Sequence, residues 1–113
     1  MQKNESGQVV VQGNFTLKIK AKHHWLGVPY LPVYLKKNAS TWPGTDSTKY
    51  EFKTIADNDG SCEFDHLFPG KYYLYAHGFD SVFGMTVIGY GPIDLNSTTE
   101  PDHEYDYILN VSE

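Results

Sequence analysis

Five histidines, His23, His24, His66, His77 and His103, are the side chains best suited to a transition metal, because neutral imidazole is a borderline-soft ligand. Their spacing matches no ligand motif. Adjacent His23 and His24 would project to opposite faces of a strand, so at most one of them is expected in any cluster, and neither a metal site nor a cofactor is expected. Asp57, Asp59, Gly60, Ser61 and Glu63 crowd carboxylates as a calcium loop does. Placing Gly60 at the loop's glycine, however, puts Ile55 and His66 at its first and last ligand positions, so the segment reads as a hairpin turn. Cys62 shares the inward face of Phe64 and reads as a small buried hydrophobe rather than a nucleophile. An isopeptide cross-link would need an inward Lys and Asn beside an acid. Lys18 and Lys20 instead face away from Leu17 and Ile19, and Asn110 faces away from Leu109 and Val111.

The aromatic residues offer a different chemistry. Tyr73, Tyr75 and His77 occupy the outer face of one strand, Tyr34 the outer face of another, and Trp25 and Trp42 lie in loops. Flat amphipathic rings beside hydroxyls suit stacking on sugars or packing against a protein, and these six residues are the candidate binding set. Two simpler roles compete with it. Tyrosines also satisfy strand propensity and cross-strand packing, and Trp42 could plug an open end of the fold. Five of six asparagines, Asn4, Asn14, Asn38, Asn96 and Asn110, stand in Asn-x-Ser/Thr triplets, which accept glycans only in a eukaryotic secreted protein.

Strands must position these residues. Phe15, Leu17, Ile19 and Ala21 alternate with Thr16, Lys18, Lys20 and Lys22, the period of a half-buried strand. Val28 to Leu35 is interrupted by Pro29 and Pro32, so pairing is expected over Val33 to Lys36 in an edge strand. Asn38 to Thr48 lacks periodicity and reads as a long loop around Trp42. Tyr50 to Ala56 alternates again, Asp57 to Gly60 supplies a turn, and Pro69-Gly70 makes the next reversal. Lys71 to Gly78 places Tyr72, Leu74 and Ala76 on one side and Tyr73, Tyr75 and His77 on the other. Val82 to Asp94, broken by Gly84, Gly89, Gly91 and Pro92, reads as a bulged or irregular edge. Tyr105, Tyr107, Leu109 and Val111 alternate as a terminal strand. About seven strands result, and no window has a capped helical period.

A chain of 113 residues with 40% hydrophobic and 15% aromatic content fits one globular domain. Its net charge of −5, with lysine as the only cation apart from histidine, removes the bidentate grip of arginine and argues against nucleic acid as a partner. A single cysteine precludes an internal disulfide. No run approaches a membrane helix or a signal segment, so this domain is not expected to insert in a membrane. Residues 1–8 read as a flexible polar lead-in, and 9–113 as the domain.

The segment Thr54 to Ala76, T-I-A-D-N-D-G-S-C-E-F-D-H-L-F-P-G-K-Y-Y-L-Y-A, resembles the signature of carboxypeptidase-regulatory-like, transthyretin-like (prealbumin-like) domains. The matching positions are Asp57, Gly60, Phe64, Leu67, Pro69, Gly70, Tyr72 and Leu74, and Gly27 to Leu35 is similar to the family's earlier strand. The resemblance implies a seven-stranded Greek-key β-sandwich, all-β, of the accessory kind found in secreted enzymes, receptors and bacterial lipoproteins. It therefore implies a non-catalytic accessory or adhesion domain of an exported bacterial protein, periplasmic or at the cell surface, with a possible lipid anchor upstream. Its partner is an unspecified protein or carbohydrate. A sugar-binding module and a histidine-based metal protein remain the alternatives. The enzymatic relatives need what this chain lacks: hydroxyisourate hydrolases use arginine and a C-terminal Tyr-Arg-Gly-Ser, whereas this sequence ends Asn110-Val111-Ser112-Glu113, and no full iron-ligand motif of intradiol dioxygenases is evident.

Overall fold

The computed structural model describes residues 15–95 and 104–113, together with the backbone of the paired segments β1 (Gln2–Lys3) and β2 (Val9–Val10). The remainder of the expected lead-in and Asn4, Asn14, Asn96 and His103 lie outside the described residues. The chain continues as β3 (Phe15–His23), β4 (Leu26–Gly27), β5 (Pro32–Lys37), a 3-10 turn (Ser47–Lys49), β6 (Phe52–Ile55), β7 (Ser61–Leu67), β8 (Gly70–Asp80), β9 (Met85–Leu95) and β10 (Glu104–Asn110).

Two sheets form. In the first, β3 lies between β10, which it pairs in parallel, and β7, with short β4 continuing the β7 side. The second has the order β6-β5-β8-β9, all antiparallel. The chain leaves the second sheet after the β5-β6 hairpin, crosses to β7, and returns as the β8-β9 hairpin beside β5. That is a Greek-key path, and the molecule is an all-β sandwich of seven longer strands, as the alternation predicts.

The core is what the period-two pattern demands. Leu17, Ile19 and Ala21 of β3, Phe64 and Leu67 of β7, and Leu109 of β10 face Val33, Leu35, Tyr72, Leu74, Ala76, Val87, Ile93 and Leu95 of the other sheet, all buried. Burying each Leu or Ile contributes roughly 1.5–3 kcal/mol before ordering entropy is subtracted.

Two strand expectations are corrected. Strand β5 is interior, between β6 and β8, because Pro32 sits at its first residue, where a missing donor is tolerated, and Pro29 lies before the strand. Strand β9 lies at the sheet's edge, as expected, but it pairs with β8 continuously from Met85 to Leu95 without a bulge or irregularity. Its glycines answer to crowding instead: a Cβ on Gly89 would stand 2.6 Å from Val111 Cγ1, and one on Gly91 would stand 2.3 Å from the Tyr107 hydroxyl. They admit the C-terminal strand against the inner face of β9.

Candidate functional site

Between β5 and β6 the chain crosses the outer face of the second sheet. Asn38 turns it with φ 55°, Ala39 N–H donates to Lys71 O at 3.1 Å, and Glu51 accepts from Lys37 N and Lys36 Nζ, both at 3.0 Å. The carboxylate of Asp46 caps the 3-10 turn by accepting from Thr48 N and Oγ1, and these bonds hold it below its ordinary carboxyl range. Tyr50 closes the loop by donating its hydroxyl to Gly44 O at 2.7 Å.

Beneath this strap the rings pack around Tyr75. Tyr34 stacks on it at 5.5 Å, Tyr50 lies at 5.3 Å, Trp42 meets it edge-on at 5.4 Å, and His77 is parallel to it at 6.4 Å. Trp42 also stacks on Tyr90 at 3.9 Å and contacts Tyr73 at 5.9 Å. The Lys53 ammonium stands 5.6 Å from the Tyr34 ring centre. Tyr75, on the solvent side of its strand, is consequently only 3% exposed. Burial pushes the Tyr50 phenol up to about 12, with Tyr75 and Tyr73 adding to the shift.

Thus Tyr34, Trp42, Tyr73, Tyr75 and His77 do converge, while Trp25 does not, being 89% exposed at the tip of the β3-β4 hairpin. Trp42 lies on a sheet face rather than plugging an end of the sandwich. Tyr50 and Tyr90 complete the cluster and were missed. Tyr90 pairs in register with Tyr75, so an unbroken β9 would have placed it on this face, but the glycines around it obscured that parity. Tyr50 precedes β6 and belongs to the strap. Half-exposed Tyr90 and the outer side of Trp42 leave an aromatic shelf open to solvent on a rigid sheet.

A second constellation lies where β3 ends. His23 and Leu26 are paired, so His24 and Trp25 form a two-residue hairpin loop, with φ 50° and 73°. That reversal ends the strand's parity and brings the His23 and His24 rings within 4.2 Å, overturning the expectation that they diverge. Phe83 packs on both rings at 5.1 Å. His23, 2% exposed, faces the buried Asp80 carboxylate through Nδ1 at 2.8 Å, and its Nε2 meets Glu113 Oε2. Asp80 Oδ1 also accepts from Val82 N at 2.9 Å. The hydrogen bond to Asp80, followed by that to Glu113, holds His23 above the ordinary imidazole range against the opposing effect of burial. His24 Nε2 lies 3.7 Å from Glu113 Oε1.

The other expected groups keep structural roles. Asp57 Oδ1 accepts from Asp59 N and Ser61 N, each at 3.0 Å, which is the turn chemistry of a hairpin. Cys62 is half-buried rather than fully inward, and burial, then Asp57 and Glu63, push its thiol up to about 12, which disfavours the thiolate. Lys18 and Lys20 pair at the surface with Glu104 at 2.6 Å and Asp59 at 3.3 Å, and Asn110 is exposed.

No protein-family model matches the chain, and no curated protein matches its sequence. Among solved structures, it is similar to the major pilin subunit of Bacillus cereus, with a TM-score of 0.60 at 8% identity over 88% of this chain. The match spans 30% of the pilin's length, and at this identity it bears on the fold alone.

Proposed function

We propose that the chain is a non-catalytic accessory or adhesion domain of the carboxypeptidase-regulatory-like kind, borne by an exported, lipid-anchored bacterial protein, and that its aromatic shelf holds the partner. The Trp42-Tyr90 stack carries this reading: at 3.9 Å and 20° it offers a flat, preorganised surface flanked by Tyr73. The motif around Pro69-Gly70 supports the family and, with it, the exported setting that the family implies, and the pilin subunit shares the sandwich fold. The raised Cys62 thiol and the absence of arginine support a binding role over a catalytic one.

Stacking on a sugar ring is the specific form of binding that the shelf favours, since Trp and Tyr faces meet the C–H faces of pyranoses while neighbouring hydroxyls accept and donate hydrogen bonds. A glycan array, followed by tryptophan-fluorescence titration with the hits, tests it. Binding that is lost in Trp42→Ala and retained in Trp25→Ala supports the sugar reading. An array without hits removes it and leaves a protein as the partner. Retention of binding in a folded Trp42→Ala variant overturns the shelf itself.

A further inference from the structure

We infer that His23, His24 and Glu113 form a binding site for a divalent transition-metal ion of the zinc class, with Asp80 orienting His23. One ligand atom from each of the three lies within 4.8 Å of the others, a spacing that small side-chain movements can close around an ion about 2.0–2.2 Å from each. The inference is independent of the aromatic shelf and goes beyond the binding role proposed for it.

The arrangement has the anatomy of a supported metal ligand. The Asp80 carboxylate accepts at both oxygens, from Val82 N and from His23 Nδ1, so the Nδ1 position carries a proton, and Nε2, now hydrogen-bonded to Glu113, is the nitrogen that an ion would bind by displacing the proton between them. Burial of His23 and the packing of Phe83 fix that ring, whereas exposed His24 and Glu113 have room to adjust. At present His23 Nε2 and Glu113 Oε2 face each other directly, and a cation between them would take the place of the shared proton. Glu113 is held near the site because Ser112 and Ile88 exchange backbone hydrogen bonds of 2.9 and 2.8 Å. Two imidazoles and one carboxylate suit zinc or copper rather than calcium, and three protein ligands leave a fourth tetrahedral position for water or a partner's side chain. The ion would tie the β3-β4 hairpin to the segment after β10.

The test is zinc binding to the tag-free full chain, measured by competition with a chromophoric chelator, with cobalt(II) absorption reporting coordination geometry. One equivalent should bind, with the intense visible bands of tetrahedral cobalt. His24→Ala and Glu113→Gln, both at exposed positions, should each weaken binding by at least about tenfold, and the positioning variant Asp80→Asn by roughly 10–100-fold. His66→Asn, at an exposed histidine outside both clusters whose φ of 58° asparagine tolerates, should leave it unchanged. Circular dichroism identifies any variant that fails to fold, and the His24 and Glu113 variants carry the test without Asp80→Asn. Absence of stoichiometric binding, or equal affinity in wild type, His24→Ala and Glu113→Gln, overturns the site.

Discussion

Replacing Trp42 by alanine removes three ring contacts at once: the stack on Tyr90 at 3.9 Å, the edge contact with Tyr75 at 5.4 Å and the tilted contact with Tyr73 at 5.9 Å. Each aromatic pair contributes about 0.5–1.5 kcal/mol beyond area burial. The three share one half-buried side chain, and the Tyr73 contact is the most distant, so the summed loss is about 1.5–3 kcal/mol. A domain of this size is stable by roughly 5–15 kcal/mol, so the variant folds. Urea unfolding should show a lower midpoint with an unchanged slope. A double-mutant cycle with Tyr90→Ala should return a coupling of about 0.5–1.5 kcal/mol for the stacked pair. A loss below about 0.5 kcal/mol together with zero coupling would refute the packing of the strap against the sheet.

The Cys62 thiol, raised to about 12, should react with an aromatic disulfide reagent at mildly alkaline pH far more slowly in the folded protein than in the urea-unfolded chain, measured by release of the chromophore across a urea series. The Tyr50 phenol is raised to about 12 from an unfolded value near 10, so the neutral form is favoured in the fold. Its contribution is fully present below pH ~10 and is lost as pH rises toward about 12, which near-UV circular dichroism of the aromatic cluster should register. Tyr50→Phe deletes the bond to Gly44 O and should cost about 0.5–1.5 kcal/mol in chemical denaturation. Trp25→Gly should raise stability by about 0.5–1 kcal/mol, since a left-handed residue without a Cβ avoids the penalty that φ 73° imposes on tryptophan, less the entropy cost of glycine. The thermal midpoint reads that gain.

What the sequence discloses is local. The alternation of β3, the Asp57 to Gly60 turn and the opposite faces of β8 were legible because each depends on neighbours a few residues away. The interior place of β5 was not, because a proline at a strand's first residue reads like an edge signal until the flanking strands are known. Gly89 and Gly91 likewise resembled breaks, whereas their reason is Val111 and Tyr107 arriving from distant sequence. Tyr50 and Tyr90 joined the candidate set only when tertiary packing brought the strap over the sheet. Strand parity separates His23 from His24 only where a strand runs on, whereas here the chain turns at His24.

That turn also shapes the second site. Two-residue hairpin loops with positive φ at both positions favour Asn-Gly, yet this one is His-Trp, a costly choice that the surrounding contacts must hold. The pairing of His23 with Leu26 does so from one side. From the other, Gly27 presses so closely on the β6-β7 turn that a Cβ there would lie 1.8 Å from Asp59 O. With the turn held, His24 folds back beside His23 and Trp25 is thrust into solvent, away from the aromatic shelf. Strand β8 nevertheless touches both places, with Tyr73, Tyr75 and His77 on its outer face and Asp80 at its end. Because no ring contact among the described residues joins the two clusters, their energetics should be additive: Trp42→Ala should leave zinc affinity unchanged, and His24→Ala should leave the Trp42-Tyr90 coupling unchanged. A non-additive cycle between them would show that β8 transmits strain from its end to its face, and would make the shelf and the cation site parts of one device.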